Sequence, residues 1–575
     1  MKKFFAELNA VLNNFKNASN GLLPVILKEL AFVAVGGVIF FLVLSWLGPV
    51  VPAALTGFLG LYSIATFGME YQRRSVDKAQ RGRVMYREGV ARRKARKKRK
   101  SGDRGILWGK LRLPSDDAMA HFCIVGGIGS GKTLTMQILM NDQFKLLTPD
   151  SDRRALIFDS KEDFVQIIAG INPPCPLHIL NPFDERRTAW DIACDIDFGP
   201  IASNLAAIIF PSHPNSHNKF FEETPRLLLD AVLDVFIKRA KGRWTLRHVV
   251  LVMQSMELIQ AITKLDSQSE AKVRRTLEGS EKSVGDVMST INSKISPWAR
   301  TAASWEGAKK RIHIREWLRT TSILVLPKFK PAESETLRLY SLFVEILASN
   351  LSMLTRSETR RTWVFLDEFT QLGEMNGLKS IILEGRDKGF SCVLGTQQPG
   401  LVHSTYGKEE GEALISECGN KCFLKASSTD AANWVSDSIN EFVPDWDMSE
   451  EKKKARRSYP PRYFTALPKA GFDNGLSGVY LSPSISGWGA DYTPAELRAL
   501  ITPPNENVAR FKQIDSESLD LRPWGKEDSE LFGIPWPMLS NRQATQRPAS
   551  PTQRPSKPTS GLKENPIADI EPFTI

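Results

Sequence analysis

The sequence predicts an α/β protein: a mainly parallel sheet alternating with helices, carrying an all-helical insertion and preceded by an apolar hairpin. Three observations predict it. Gly126-Gly127-Ile128-Gly129-Ser130-Gly131-Lys132-Thr133 fits the phosphate-binding pattern G-x-x-x-x-G-K-[ST]. It lies between the short apolar run 122–125 and the helix-forming run 134–139. Further apolar runs of strand length recur with helical patterns between them. Two longer uncharged apolar runs stand near the N-terminus.

The N-terminal runs come first. Residues 30–47 are 18 mostly apolar residues without a charge, which as a helix reach about 27 Å, close to the thickness of a hydrocarbon core. Gly48-Pro49 breaks the pattern, and a second uncharged run follows over 51–69. Residues 1–72 therefore read as a two-helix transmembrane hairpin. Lys2, Lys3, Lys16 and Lys28 precede it and a basic run from Arg73 follows it, which places both ends in the cytoplasm. A cleaved signal peptide is disfavoured because the first run starts late and a second follows at once.

Charge is informative only once it is located. The net charge of +12 resides in residues 73–100, where 14 Lys and Arg meet two acids, Asp77 and Glu88; the remainder balances 62 basic residues against 62 acidic ones. The segment 73–104 reads as a basic juxtamembrane linker that can set topology, touch anionic headgroups or guide a polyanion. The main body is not basic in bulk, so nucleic-acid contact there requires local placement of charge. Six scattered cysteines suit a reducing compartment. Cys418-x-x-x-Cys422 has no second ligand pair nearby and reads as buried thiols rather than a zinc site.

From residue 105 the chain reads as the first part of a nucleotide-binding domain, 105–200. Its strands are 122–125, 155–159 and 177–180, with Asn181-Pro182 ending the last. His178 reads as a core or edge histidine, since no His or Cys lies at ligand spacing. Residues 201–310 show long apolar stretches at helical spacing and little alternation, as expected for an all-α domain. The sheet resumes in a second part, 311–532, with runs 322–326, 363–366 and 391–394. The tail 533–575 is rich in Pro, Ser, Thr and Gln, repeats Gln-Arg-Pro at 546 and 553, and is expected to be disordered.

The glycines let backbone N–H groups converge on phosphate oxygens at a helix N-terminus. In that frame Lys132 reaches the β/γ-phosphates and Thr133 ligates Mg²⁺. Trp363-Val364-Phe365-Leu366 ends in Asp367 and Glu368. Beside a P-loop, Asp367 would hold the Mg²⁺ hydration shell and Glu368 would polarise the attacking water; taken alone, the pair equally fits a helix cap. Gln397-Gln398 follows the run 391–394, where an amide can sense a γ-phosphate. Arg386 lies in Glu384-Gly385-Arg386-Asp387-Lys388-Gly389, and an arginine near a subunit edge can reach a neighbour's nucleotide. On spacing alone, a capping glutamine and a surface arginine account for both.

In order, these motifs resemble the type IV secretion coupling proteins of the TraD/TraG kind: the hairpin, GGIGSGKT, the strand end 157–161, Asn181-Pro182-Phe183-Asp184, Trp190-Asp191, FLDEF, EGRDKG, GTQQP and Tyr406-Gly407. The resemblance covers roughly residues 25 to 525. It implies a RecA-like P-loop ATPase in the bacterial inner membrane, using ATP and Mg²⁺ and assembling as a homo-hexamer with ATP between subunits. It implies Arg386 as a finger acting in trans and Gln397 as the sensor, with Gln398 adjacent. It also implies partners: DNA, single-stranded, together with relaxase proteins and type IV secretion channel components. Two other functions fit the same ATPase residues, an FtsK-like DNA translocase and a coupling receptor for protein-only secretion. A non-catalytic membrane scaffold fits only if the intact phosphate site is idle.

Overall fold

Apolar runs bounded by turn residues supply much of a ten-stranded sheet in the computed structural model, which describes residues 84–211, 219–277, 281–439 and 459–536, together with Tyr62. In chain order its strands are β1 (Met85–Tyr86), β2 (Phe122–Val125), β3 (Arg153–Asp159), β4 (Leu177–Ile179), β5 (Ile323–Pro327), β6 (Arg361–Leu366), β7 (Phe390–Thr396), β8 (Asn420–Phe423), β9 (Leu476–Ser482) and β10 (Ser486–Tyr492). They lie side by side as β1-β10-β9-β8-β2-β7-β6-β3-β5-β4. From β8 to β4 every pairing is parallel, whereas β9 pairs antiparallel with both β8 and β10. Strands β2, β6 and β7 are buried along their whole length, as a parallel sheet covered on both faces requires.

The strand order positions the site. β7 lies between β2 and β6, in register with both. The loops leaving these three strands therefore open side by side at one sheet edge, which is where ligands of open α/β sheets bind. Tyr340 reinforces the same layer, its hydroxyl donating to the Pro327 carbonyl at 2.7 Å.

At the other end, His121 joins three elements before β2. Its Nε2 lies 2.9 Å from the Ile382 carbonyl and its Nδ1 accepts from the Cys392 N–H at 3.1 Å. Burial, chiefly, pushes the ring down to about 4. Because the unfolded chain titrates near 6.5, it binds more protons than the folded one between these values, and stability falls as pH drops from about 6.5 to about 4. We expect denaturant titrations to show the wild type losing about 2 to 3 kcal/mol more than His121→Gln between pH 7 and 4.5. Equal losses would remove His121 as the cause.

Much of the basic segment is a helix, Glu88–Lys98. Ala91 and Ala95 enter the hydrophobic core beneath β10, while Arg92, Arg93, Lys94, Arg96, Lys97 and Lys98 remain exposed. The four-residue spacing of the alanines puts both on one face, so this part of the expected linker is a packed element.

The chain divides into two compact units, one of residues up to Thr188 with Ile314–Gln513, the other Ala189–His313 with the segment from Ile514. The second unit begins earlier than the helical block read from sequence and takes in residues that reading gave to the sheet domain. Helices dominate it, the 22-residue Lys219–Ala240 being the longest among the described residues. A short two-stranded ribbon, Thr188–Trp190 with Lys310–Ile312, stands where the chain enters and leaves. Within it, the fully buried Arg247 guanidinium donates to both Asp528 oxygens at 2.9 and 2.6 Å. Burial would raise the Asp528 carboxyl, but Arg247 and His248 hold it well below the usual carboxylate range. That network attaches the segment after Ile514 to the helices.

Apart from Tyr62, the hairpin expected over 1–72 lies outside the described residues, as does 537–575 of the tail expected over 533–575. Among the described residues no helix is long and apolar enough to cross a membrane. This corrects the expectation of a multi-pass inner-membrane protein. Cys418 and Cys422 are fully buried and unpaired.

Candidate nucleotide-binding site

The glycine-rich loop runs from the end of β2 into the helix Lys132–Gln143. Its frame is held from both sides. The Gly126 N–H donates to the Thr396 carbonyl at the end of β7 at 3.1 Å, and the Gly127 N–H to the Lys425 carbonyl after β8 at 2.8 Å. Gly131, at φ +100°, precedes the helix; a Cβ there would meet Leu476 Cδ1 at 2.4 Å and Ala470 Cβ at 2.7 Å. We expect Gly131→Ala to weaken nucleotide binding at least about tenfold, because both backbone and neighbours must shift. Titration with a fluorescent nucleotide checks this, and unchanged affinity would show that the loop tolerates a side chain.

Lys132 is 5% exposed. Its Nζ donates to the Gly126 carbonyl at 2.9 Å and lies 3.5 Å from that of Gly127. Burial pushes its ammonium down, and the Asp367 and Glu368 carboxylates counter that by attraction. Thr133 Oγ1 lies 3.3 Å from Asp367 Oδ2. Lys161 Nζ stands 3.2 Å from each of these two oxygens, a cation where a divalent ion held by Thr133 and Asp367 would be. Asp367 Oδ1 is buried without a hydrogen-bond partner. A hydroxyl, a carboxylate and an unpartnered buried oxygen suit Mg²⁺, which keeps water and takes phosphate oxygens. Among the described residues no group of three His, Cys, Asp or Glu could cage a metal alone.

Glu368 follows Asp367 with φ 58° and ψ 54°, a left-handed conformation that turns the chain after β6 and is strained for a residue with a Cβ. Gln397 Nε2 donates to Glu368 Oε1 at 3.1 Å, and Gln371 Nε2 donates to Oε2. The carboxylate is thus held by an amide on each oxygen. Gly395 makes the approach possible: a Cβ there would lie 2.8 Å from Met136 Cε and 3.4 Å from both Asp367 Oδ1 and the Glu368 nitrogen.

The structure brings Lys132, Thr133, Asp367, Glu368 and Gln397 together. Gln397, not Gln398, reaches Glu368; the Gln398 carbonyl accepts from Thr396 Oγ1. Arg386 does not join them. It begins the short turn Arg386–Lys388 before β7, while Gln397 follows that strand, and seven residues of strand separate the two ends by about 20 Å. Arg386 therefore lies away from the pocket of its own chain. Gln371 and Lys161 were not singled out from sequence. Lys161 closes the strand-end motif 157–161, and the turn carrying it is built on Asp159, whose carboxylate accepts the backbone N–H groups of Lys161, Asp163 and Phe164 at 3.2, 3.1 and 2.8 Å. Burial pushes the Asp159 carboxyl up to about 6 despite those bonds.

The family model for the type IV secretion-system coupling protein DNA-binding domain matches residues 106–451. The chain belongs to this family. Over 355 residues this coupling-protein chain is 23% identical to the coupling protein TraD of Escherichia coli (strain K12), a match taking in 60% of the chain and 47% of TraD, so the chain spans about half the length of that curated relative. Its fold is similar to that of the plasmid coupling protein TrwB solved with the GTP analogue GDPNP (TM-score 0.57, 16% identity, 75% of this chain and 97% of that one). TrwB with ADP and Mg²⁺ gives a TM-score of 0.57 at 16% identity, over 76% and 97%. At these identities the likeness concerns the mainly parallel α/β fold of the coupling protein.

Proposed function

We propose that this coupling protein is a P-loop ATPase that binds ATP with Mg²⁺ and uses hydrolysis to move DNA, single-stranded and relaxase-bound, toward a type IV secretion channel. The observation that carries the reading is the convergence of Lys132, Thr133, Asp367, Glu368 and Gln397 at adjacent strand ends within the family-matched region. Bound Mg·ATP would supply the transferable phosphoryl group and the ion that offsets its charge. Lys132 would exchange its two glycine carbonyls for phosphate oxygens, and Thr133 with Asp367 would hold the ion in place of Lys161. Glu368, fixed by Gln371 and Gln397, would orient a water and take its proton.

Arg386, at the opposite end of β7, fits a role in a neighbouring subunit's pocket, which accords with a homo-hexamer. We expect Arg386→Ala chains mixed with wild-type chains to lower ATPase activity by more than dilution alone. A strictly proportional decline would sink the trans assignment.

The deciding experiment is the ATPase rate of the full chain against added single- and double-stranded DNA, with oligomer size measured alongside. Single-stranded DNA is expected to raise the rate several-fold, with strong salt dependence. A rate indifferent to every nucleic acid would favour a protein-only receptor.

A further inference from the structure

A second cavity lies at the sheet end away from the nucleotide loops, with a volume of about 280 Å³. Arg104, Arg153, Arg361, Gln143 and Trp363 are among its lining residues. Arg153 opens β3 and Arg361 opens β6, and the two are directly paired in register across neighbouring parallel strands. Like charges placed opposite each other destabilise a sheet. Arg361 is nonetheless 7% exposed, and its guanidinium donates to the backbone carbonyls of Glu358 and Arg360 at 2.9 and 2.8 Å. Among the described residues neither Arg153 nor Arg361 forms an ion pair with a carboxylate. Burial pushes the Arg153 guanidinium down, and Arg361 and Arg104 add to that by repulsion.

Trp363 supplies an independent observation. It lies two residues along β6 from Arg361, so both side chains emerge on one face. It is 1% exposed, and its indole N–H is buried with no acceptor. The indoles of Trp244, Trp305 and Trp317 are likewise buried without an acceptor; Trp363 differs in that it lines a cavity beside arginines.

The nearby acids are already engaged. Asp103, also in the lining, accepts from the backbone N–H groups of Gly105 and Ser115 at 2.8 and 2.9 Å and from the Ser115 hydroxyl. Asp142 accepts from Arg104 at 3.3 Å and from Arg112 at 2.5 Å. Asp103 and Asp116 attract Arg361 only through space. With these carboxylates engaged elsewhere, no carboxylate pairs with Arg153 and no acceptor meets the Trp363 indole among the described residues.

We infer that this cavity is an anion site distinct from the nucleotide pocket, and that it takes the phosphoryl group of a small phosphate monoester. Arg104 from a loop and Arg153 and Arg361 side by side on two strands line the cavity, and a phosphoryl group offers the charge and the several acceptor oxygens that guanidinium forks and an indole N–H can share. The volume, near the lower end for ligand pockets, admits a phosphate with a small organic group. About 20 Å of strand separates it from Asp367 along β6, so occupancy of the two sites can be read separately.

The test is calorimetric titration of the full chain with ribose 5-phosphate, with succinate as a carboxylate control. Wild type and Lys132→Ala are expected to bind about one equivalent, and Arg153→Ala to bind at least tenfold more weakly. Binding lost in Lys132→Ala, retained in Arg153→Ala, absent from wild type or matched by succinate overturns the assignment. Unliganded Arg153→Ala and Arg153→Gln should melt no lower than wild type, because each removes a repelled charge. A lowered midpoint in both would make the arginine pair a device of the fold and overturn the proposal. Failure of the DNA-stimulated ATPase test leaves these results intact.

Discussion

Lys132→Ala is expected to abolish ATP turnover, lowering kcat/KM at least about 100-fold, or roughly 3 kcal/mol of transition-state stabilisation. The side chain is buried beside two carboxylates, and its nearest acceptors are carbonyls of its own loop. Those carbonyls are weaker partners than phosphate oxygens, so little opposes its transfer to a bound triphosphate. Alanine leaves the loop backbone in place but removes the cation that meets charge developing on the transferred group. Steady-state hydrolysis by the full chain reads the effect, and nucleotide affinity should fall with it. A variant within a few-fold of wild type would mean that this loop does not hold the reacting nucleotide.

Glu368→Gln is expected to separate binding from chemistry. Turnover should drop by about 100-fold or more while nucleotide affinity stays within a few-fold. Glutamine has nearly the same shape, keeps the left-handed turn after β6, and can still meet Gln371 and Gln397; what it loses is the capacity to accept a proton from water. Single-turnover hydrolysis beside equilibrium binding checks this. Normal hydrolysis would transfer the role of base elsewhere, and joint loss of binding and turnover would make Glu368 a support of the pocket's shape.

Several strands were legible because parallel strands buried on both faces are continuous apolar runs, and β2, β3, β5, β6 and β7 all carry that pattern. β8, β9 and β10 were not. β8 reads Asn-Lys-Cys-Phe, and β10 mixes glycine, serine and aspartate with aromatics, so no apolar run announces them. Their places follow from pairing with β2 and with each other, which is a property of partners distant in sequence. The basic segment misled for a related reason: its two buried alanines are inconspicuous among lysines and arginines, and only contact with the core makes them an anchor.

The site divides along the same line. The glycine-rich loop, Asp367 and Glu368 are visible in sequence because the chemistry proposed for each needs particular residue types at fixed spacing. Gln371 and Lys161 carry no such signature, and their roles appear only when separate turns close on Glu368 and on the Thr133–Asp367 pair.

Local composition and spacing alone carried the glycine-rich pattern that fits phosphate binding and the alternation that makes a parallel sheet. Tertiary structure alone decided that β7 inserts between β2 and β6, that Gln397 rather than its neighbour meets Glu368, that Arg386 lies at the other end of β7 from its own pocket, and that two arginines oppose each other at the far sheet edge. Strand order and register arise from burial shared among residues far apart in sequence, which no local pattern encodes.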